Sequence, residues 1–177
     1  MIRPGLTKGT VNDAALVSVS NDTEAAANVT VIYQDASTRK WARQFCTQVE
    51  SLVGSRACRL TWWKVSDLAE PGVLAGAVST ALRADVFIVA LRADQSLPVE
   101  FCMWTEAWLP HRRAAGGSLL ALIALPEQPG THSDEAQQYL RAIARQSRLD
   151  FLIEERKLGN SSSAELVSEP ETLSSAP

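Results

Sequence analysis

Apolar residues along the chain fall into short β-branched runs separated by stretches of helical spacing. NVTVIYQ (28–34) is bounded by Asp35-Ala36-Ser37 and has the composition of a strand. Trp41, Phe45, Val49 and Leu52 then recur at helical spacing, with Ser37 or Thr38 placed to cap and Gly54 to end the run. CRLTWWKV (58–65) predicts a second strand, and Leu74, Val78 and Ala81 or Leu82 mark a second helix rich in small residues. ADVFIVAL (84–91) is a continuous apolar run of the kind buried on both faces of a sheet. Pro98 opens a third helix, where its missing N–H costs nothing; Arg112, Arg113 and Gly116-Gly117 close it. SLLALIAL (118–125) and LDFLIEE (149–155) predict two more strands, flanking a helix with Tyr139, Leu140 and Ile143 on its buried face.

Five strands alternating with four helices imply right-handed βαβ units and a parallel sheet covered on both faces. The expected fold is the α/β, flavodoxin-like doubly wound sheet of order 2-1-3-4-5. Ligands in such sheets lie beyond the carboxyl ends of the strands, at the switch point between strands 1 and 3. Two loops meet there: Gln34 to Thr38 and Arg92 to Ser96.

Composition sharpens the boundaries. Residues 29–158 hold 15 Lys or Arg against 14 Asp or Glu, whereas the flanks hold 2 against 6. Residues 1–27 and 159–177 have too little apolar surface to offset the entropy of ordering, so both are expected to be disordered around a domain of 28–158. A near-neutral domain argues against a nucleic-acid partner. No apolar run approaches a membrane span, and residues 1–27 lack a secretory pattern, which makes the cytoplasm the expected compartment.

Chemistry narrows by exclusion. Cys46, Cys58 and Cys102 form no CxxC, and His111 and His132 are the sole histidines, so no metal site is expected. Neither GxGxxG nor GxxxxGK[ST] occurs; QDAST follows strand 1 instead. Asp35, Ser37, Asp94 and Ser96 are the ligand-binding candidates of the switch-point loops. A pair of acids there would bind a cation or raise one pKa, while turn and capping roles explain Asp35 and Asp94 equally well. On the third helix, Phe101, Trp104 and Trp108 fall within about 60° of one another as a core stripe. Glu106 lies on the far side, and Glu100 sits in the first turn beside the stripe. Trp62 and Trp63, adjacent on an edge strand, must face opposite ways and are candidate anchors for a protein partner.

VIYQDASTRKWARQFCTQVESL resembles the opening strand, polar loop and first helix of a Toll/interleukin receptor (TIR)-type domain. ALRADVFIVALRADQSLPVEFCMW resembles that family's central strand, loop and glutamate-bearing helix, and the likeness runs over residues 28–155. The resemblance implies a signalling module that contacts another protein or a second copy, with no cofactor. Some members hydrolyse NAD through a glutamate on this helix. By position that role falls on Glu100, less well on Glu106, and would make the chain an NAD- or nucleoside-cleaving N-glycosidase. The Trp-Cys that precedes the family's glutamate is replaced here by Ser96-Leu97. Receiver domains share the topology, but strand 3 ends in Ala90-Leu91-Arg92, without a phosphoacceptor aspartate.

Overall fold

A computed structural model describes residues 26–53, 58–113, 116–127 and 132–158. Its elements are β1 (Ala27–Tyr33), α1 (Ala36–Val53), β2 (Cys58–Lys64), α2 (Pro71–Arg83), β3 (Val86–Arg92), α3 (Val99–Trp108), β4 (Ser118–Leu125), α4 (His132–Gln146) and β5 (Asp150–Lys157). Short 3-10 turns at Val65–Ala69 and Leu109–His111 join β2 to α2 and extend α3. The five strands are parallel, in the order β2-β1-β3-β4-β5. The chain therefore has the flavodoxin-like doubly wound fold that the alternation of strands and helices implies. Of the two flanks expected to be disordered, residues 1–25 and 159–177 lie outside the described residues, as does Gly54.

Topology dictates where the helices go. A right-handed crossover from β1 to β2 moves one way across the sheet; those from β2 to β3, β3 to β4 and β4 to β5 move the other way. The same hand then puts α1 on one face and α2, α3 and α4 on the opposite face. The buried clusters follow this division. Ala77 and Ala81 of α2, Phe101, Trp104 and Trp108 of α3, and Leu140, Ile143 and Ala144 of α4 pack with Ile32, Phe87, Val89, Leu119 and Ile123. Trp41, Ala42 and Cys46 of α1 pack with Val29, Val31, Ile88, Ala90 and Leu122 on the other side.

The three-helix face is sealed by aromatic rings. Phe87 stacks on Trp108 with centroids 4.8 Å apart, and Trp104 lies 5.5 Å from Trp108 and 5.7 Å from Phe101. Trp104 and Trp108 are 1% exposed, so the stripe read from the helix period is core, and Glu106 is exposed as expected. Arg112 does more than end its own helix. Its guanidinium covers the Phe87 ring at 5.1 Å and donates to the carbonyls of Ala81 and Gly116, tying α2 to the loop before β4. Gly117 completes that corner at φ 109°, where a Cβ would lie 2.4 Å from the Asp85 carbonyl oxygen. Only glycine fits there.

One helix covers the opposite face. Five strands at about 4.8 Å spacing put the outer pair roughly 19 Å apart, whereas a helix with side chains is about 10 Å wide. Among the described residues α1 is alone on this face, so the sheet flanks it on both sides and leaves a groove on each. Both grooves open at the carboxyl end of the fold.

Candidate functional site

The switch point forms from β1 and β3. Asp35 Oδ1 accepts the Thr38 N–H at 2.8 Å, which makes Asp35 the cap of α1 in place of Ser37 or Thr38. The Thr38 hydroxyl, wholly buried, bonds back to the Asp35 carboxylate and accepts the Asp35 N–H at 2.9 Å. Across the crevice, the Arg92 N–H donates to Gln34 Oε1 at 2.9 Å, locking the two loops together.

Asp35 and Asp94 do converge here, but Arg92 stands between them. Its Nη1 lies 3.4 Å from Asp35 and its Nη2 3.0 Å from Asp94, with Nε donating to both Asp94 oxygens. The Asp94 hydrogen bond raises the Arg92 pKa, and the charges of Asp94 and Asp35 add to it. One fixed guanidinium, with a single positive charge, stands between the two carboxylates and pairs with both. No cluster of three or more His, Cys, Asp or Glu suited to a metal occurs among the described residues.

Open space begins beside this closed crevice, on either side of the amino-terminal half of α1. The groove toward β2 has a volume of about 380 Å³ and is lined by Tyr33, Ala36, Arg39, Lys40, Arg43 and Lys64. Tyr33, in its wall, meets Trp62 at 6.3 Å, and the Arg39 guanidinium lies 5.4 Å over the Tyr33 ring. The groove toward β5 has a volume of about 340 Å³, with Ser37, Lys40, Trp41, Arg156 and Lys157 in its walls. Arg156 spans it, bonding Gln44 Oε1 at 3.5 Å and covering Trp41 at 5.9 Å. Lys40 lines both grooves, and among the described residues no carboxylate lines either. Among the described residues, none of the ion pairs involves Arg39, Lys40, Arg43, Lys64, Arg156 or Lys157.

Net charge concealed this feature. A balance near zero over residues 29–158 averages six cations gathered at one corner with carboxylates spread elsewhere. The signal that would have found part of it is Arg39-Lys40 followed by Arg43, an i, i+4 cationic face on α1.

The remaining candidates scatter. Glu100 is half-buried in the first turn of α3 and lines neither groove; Ser96 is exposed in the loop before it. Trp62 and Trp63 face opposite ways, as the strand period requires. Trp62 packs with the α1-side cluster, and Trp63 packs under α2, where its indole N–H donates to Thr80 Oγ1 at 3.0 Å. Gly76 admits that ring: a Cβ there would lie 2.9 Å from it. Both indoles are partly buried packing residues in this fold.

No family model and no curated protein matches the chain. Solved structures do match in shape. One is an oxidoreductase from Corynebacterium diphtheriae, 20% identical over 72% of this chain and 78% of that one, with a TM-score of 0.51. Another is a metal-soaked flavodiiron core from Synechocystis, 14% identical over 75% of this chain and 31% of that one, with a TM-score of 0.50. Neither is a TIR domain. They share the flavodoxin-like fold, and they correct the expectation that the chain takes no cofactor, or NAD alone as a substrate. The second of these proteins was soaked with metal, and the likeness of both to this chain is one of fold. At the start of α1 the N–H groups of Gln34, Asp35 and Thr38 are already bonded to Thr38 Oγ1 and Asp35 Oδ1, which takes three backbone donors away from a cofactor phosphate. The cationic grooves beside it do have the charge for one. No described helix is long and apolar enough to cross a membrane.

Proposed function

We propose that residues 28–158 form a binding domain for a phosphate-bearing small molecule, cofactor or metabolite, held in the groove between α1 and β2. The observation that carries this reading is the convergence of Arg39, Lys40, Arg43 and Lys64 on one recess, with neither a carboxylate in its lining nor an ion pair to neutralise them among the described residues. Four like charges repel one another, so an anion that neutralises them gains their field and relieves that repulsion. Tyr33, with Trp62 behind it, offers a flat apolar surface for a ring attached to the phosphate.

Two other roles have less support. Glu100 lines neither groove, so an N-glycosidase reaction centred on it draws no support from them. A protein-interaction module anchored by Trp62 or Trp63 needs free indoles, and both are engaged in packing.

Titration of the protein with inorganic pyrophosphate at low ionic strength tests the proposal. Heat of binding is expected, weakening as salt screens the exposed cations. Lys40→Glu combined with Lys64→Glu should weaken the affinity at least roughly tenfold, the loss of about one charge-assisted contact. Both side chains are exposed, so the thermal midpoint should hold. Absence of binding, or affinity indifferent to the charge reversal, would sink the reading.

A further inference from the structure

The second groove has a neighbour of opposite charge within its own chain. β5 ends at Lys157, and Leu158, the last described residue, both lines this groove and packs against the α1-side cluster. Leu158, to which residues 159–177 are joined, thus stands in the groove's wall. Their charged side chains are Glu165, Glu169 and Glu171, with no Lys or Arg. Among the described residues the groove presents Lys40, Arg156 and Lys157 and no carboxylate. We propose that residues 159–177 dock on the groove between α1 and β5 through these three glutamates and, by engaging Lys40, compete with the ligand of the adjoining groove.

Reach and charge both favour this segment. Glu165 lies seven positions beyond Leu158, a tether of up to roughly 24 Å when extended, longer than the sheet is wide. A tether of this length holds its end at an effective concentration on the order of millimolar, enough to populate a weak contact among exposed charges. Residues 1–25 are the poorer candidate. They precede Ala27 at the amino end of β1, opposite the grooves, and mix Arg3 and Lys8 with Asp13, Asp22 and Glu24. Lys40 makes the docking consequential, since it lines both grooves.

The competition rests on the phosphate reading above; the docking itself does not. Amide NMR spectra of the full chain, wild type against Glu165→Gln/Glu169→Gln/Glu171→Gln, examine the docking without any ligand. Shift differences are expected at Lys40, Gln44, Arg156 and Lys157, shrinking as salt is raised. Identical spectra in that region, or differences confined to other surfaces, would overturn the docking. Pyrophosphate titration of the same two proteins then tests the competition. The triple variant should bind roughly 3- to 10-fold more tightly, within the range that a millimolar tethered competitor produces. Equal affinities would overturn the competition. If neither protein binds pyrophosphate, the ligand reading fails with its regulation, and the amide shifts still decide the docking.

Discussion

The two faces of this sheet are built from similar strands and finished in opposite ways. On one, three helices bury Phe87, Phe101, Trp104 and Trp108 in a continuous aromatic layer. On the other, α1 places Trp41 at the centre, and Arg156 and Lys40 stand where further packing would be. The closed face stores stability. The open face keeps charged grooves at the carboxyl ends of the strands, where this topology puts its binding sites. Coverage of a sheet is thus a functional variable: a face with one helix too few to seal it gains recesses without any special loop.

The largest test of this contrast is a matched pair of tryptophan truncations. Trp104→Ala should cost roughly 3–5 kcal/mol, because the rings around it cannot close the cavity. Trp41→Ala should cost less, about 2–3 kcal/mol, since Trp41 borders a groove that water can enter. Equal losses in chemical denaturation would show that the two faces are packed alike.

Alkaline pH should separate the faces more gently. Burial raises the Tyr139 phenol to about 12, with the Cys102 thiol adding to the effect, on the three-helix side. Burial, then the charge of Glu50, raises the Cys46 thiol to about 11 on the α1 side. In both cases the unfolded chain ionises first, so the stabilising contribution is intact below the unfolded value and lost as pH rises through the folded one. Stability should fall from about pH 9 upward through Cys46, and from about pH 10 to 12 through Tyr139. Tyr139→Phe should flatten the upper part of a plot of thermal midpoint against pH, and Cys46→Ala the lower part. An unchanged slope in both would mean that neither group is buried as described.

The smallest effect belongs to the solvent side of α3. Glu106→Ala should stay within about 0.5 kcal/mol of wild type and leave pyrophosphate binding untouched. A larger loss would mean that α3 is rotated from the orientation its aromatic stripe gives it.

Much of this architecture was legible in the chain because hydrophobic period is a local property. The run from Phe87 to Leu91 is buried on both faces, as its unbroken apolar composition requires, and β4 begins and ends where its sequence indicates. Trp62 and Trp63 diverge because strands alternate, and Pro98 sits at the start of α3, its carbonyl accepting the Phe101 N–H at 3.1 Å. The site was less legible. The switch-point rule drew Asp35 and Asp94 toward one crevice, and Arg92, read as a loop residue, supplies the cation that pairs with both.

Sequence alone determined the sheet order, the handedness of its crossovers and which helix residues face the core, since each follows from periodicity and chirality within a few dozen residues. Tertiary structure decided where charge accumulates. Arg39, Lys40 and Arg43 lie on α1, Lys64 ends β2, and Arg156 and Lys157 end β5, so segments more than 100 residues apart meet around one helix. No count along the chain reveals that convergence. It exists because parallel strands bring all their carboxyl ends to one edge, and because a single helix is too narrow to cover five of them.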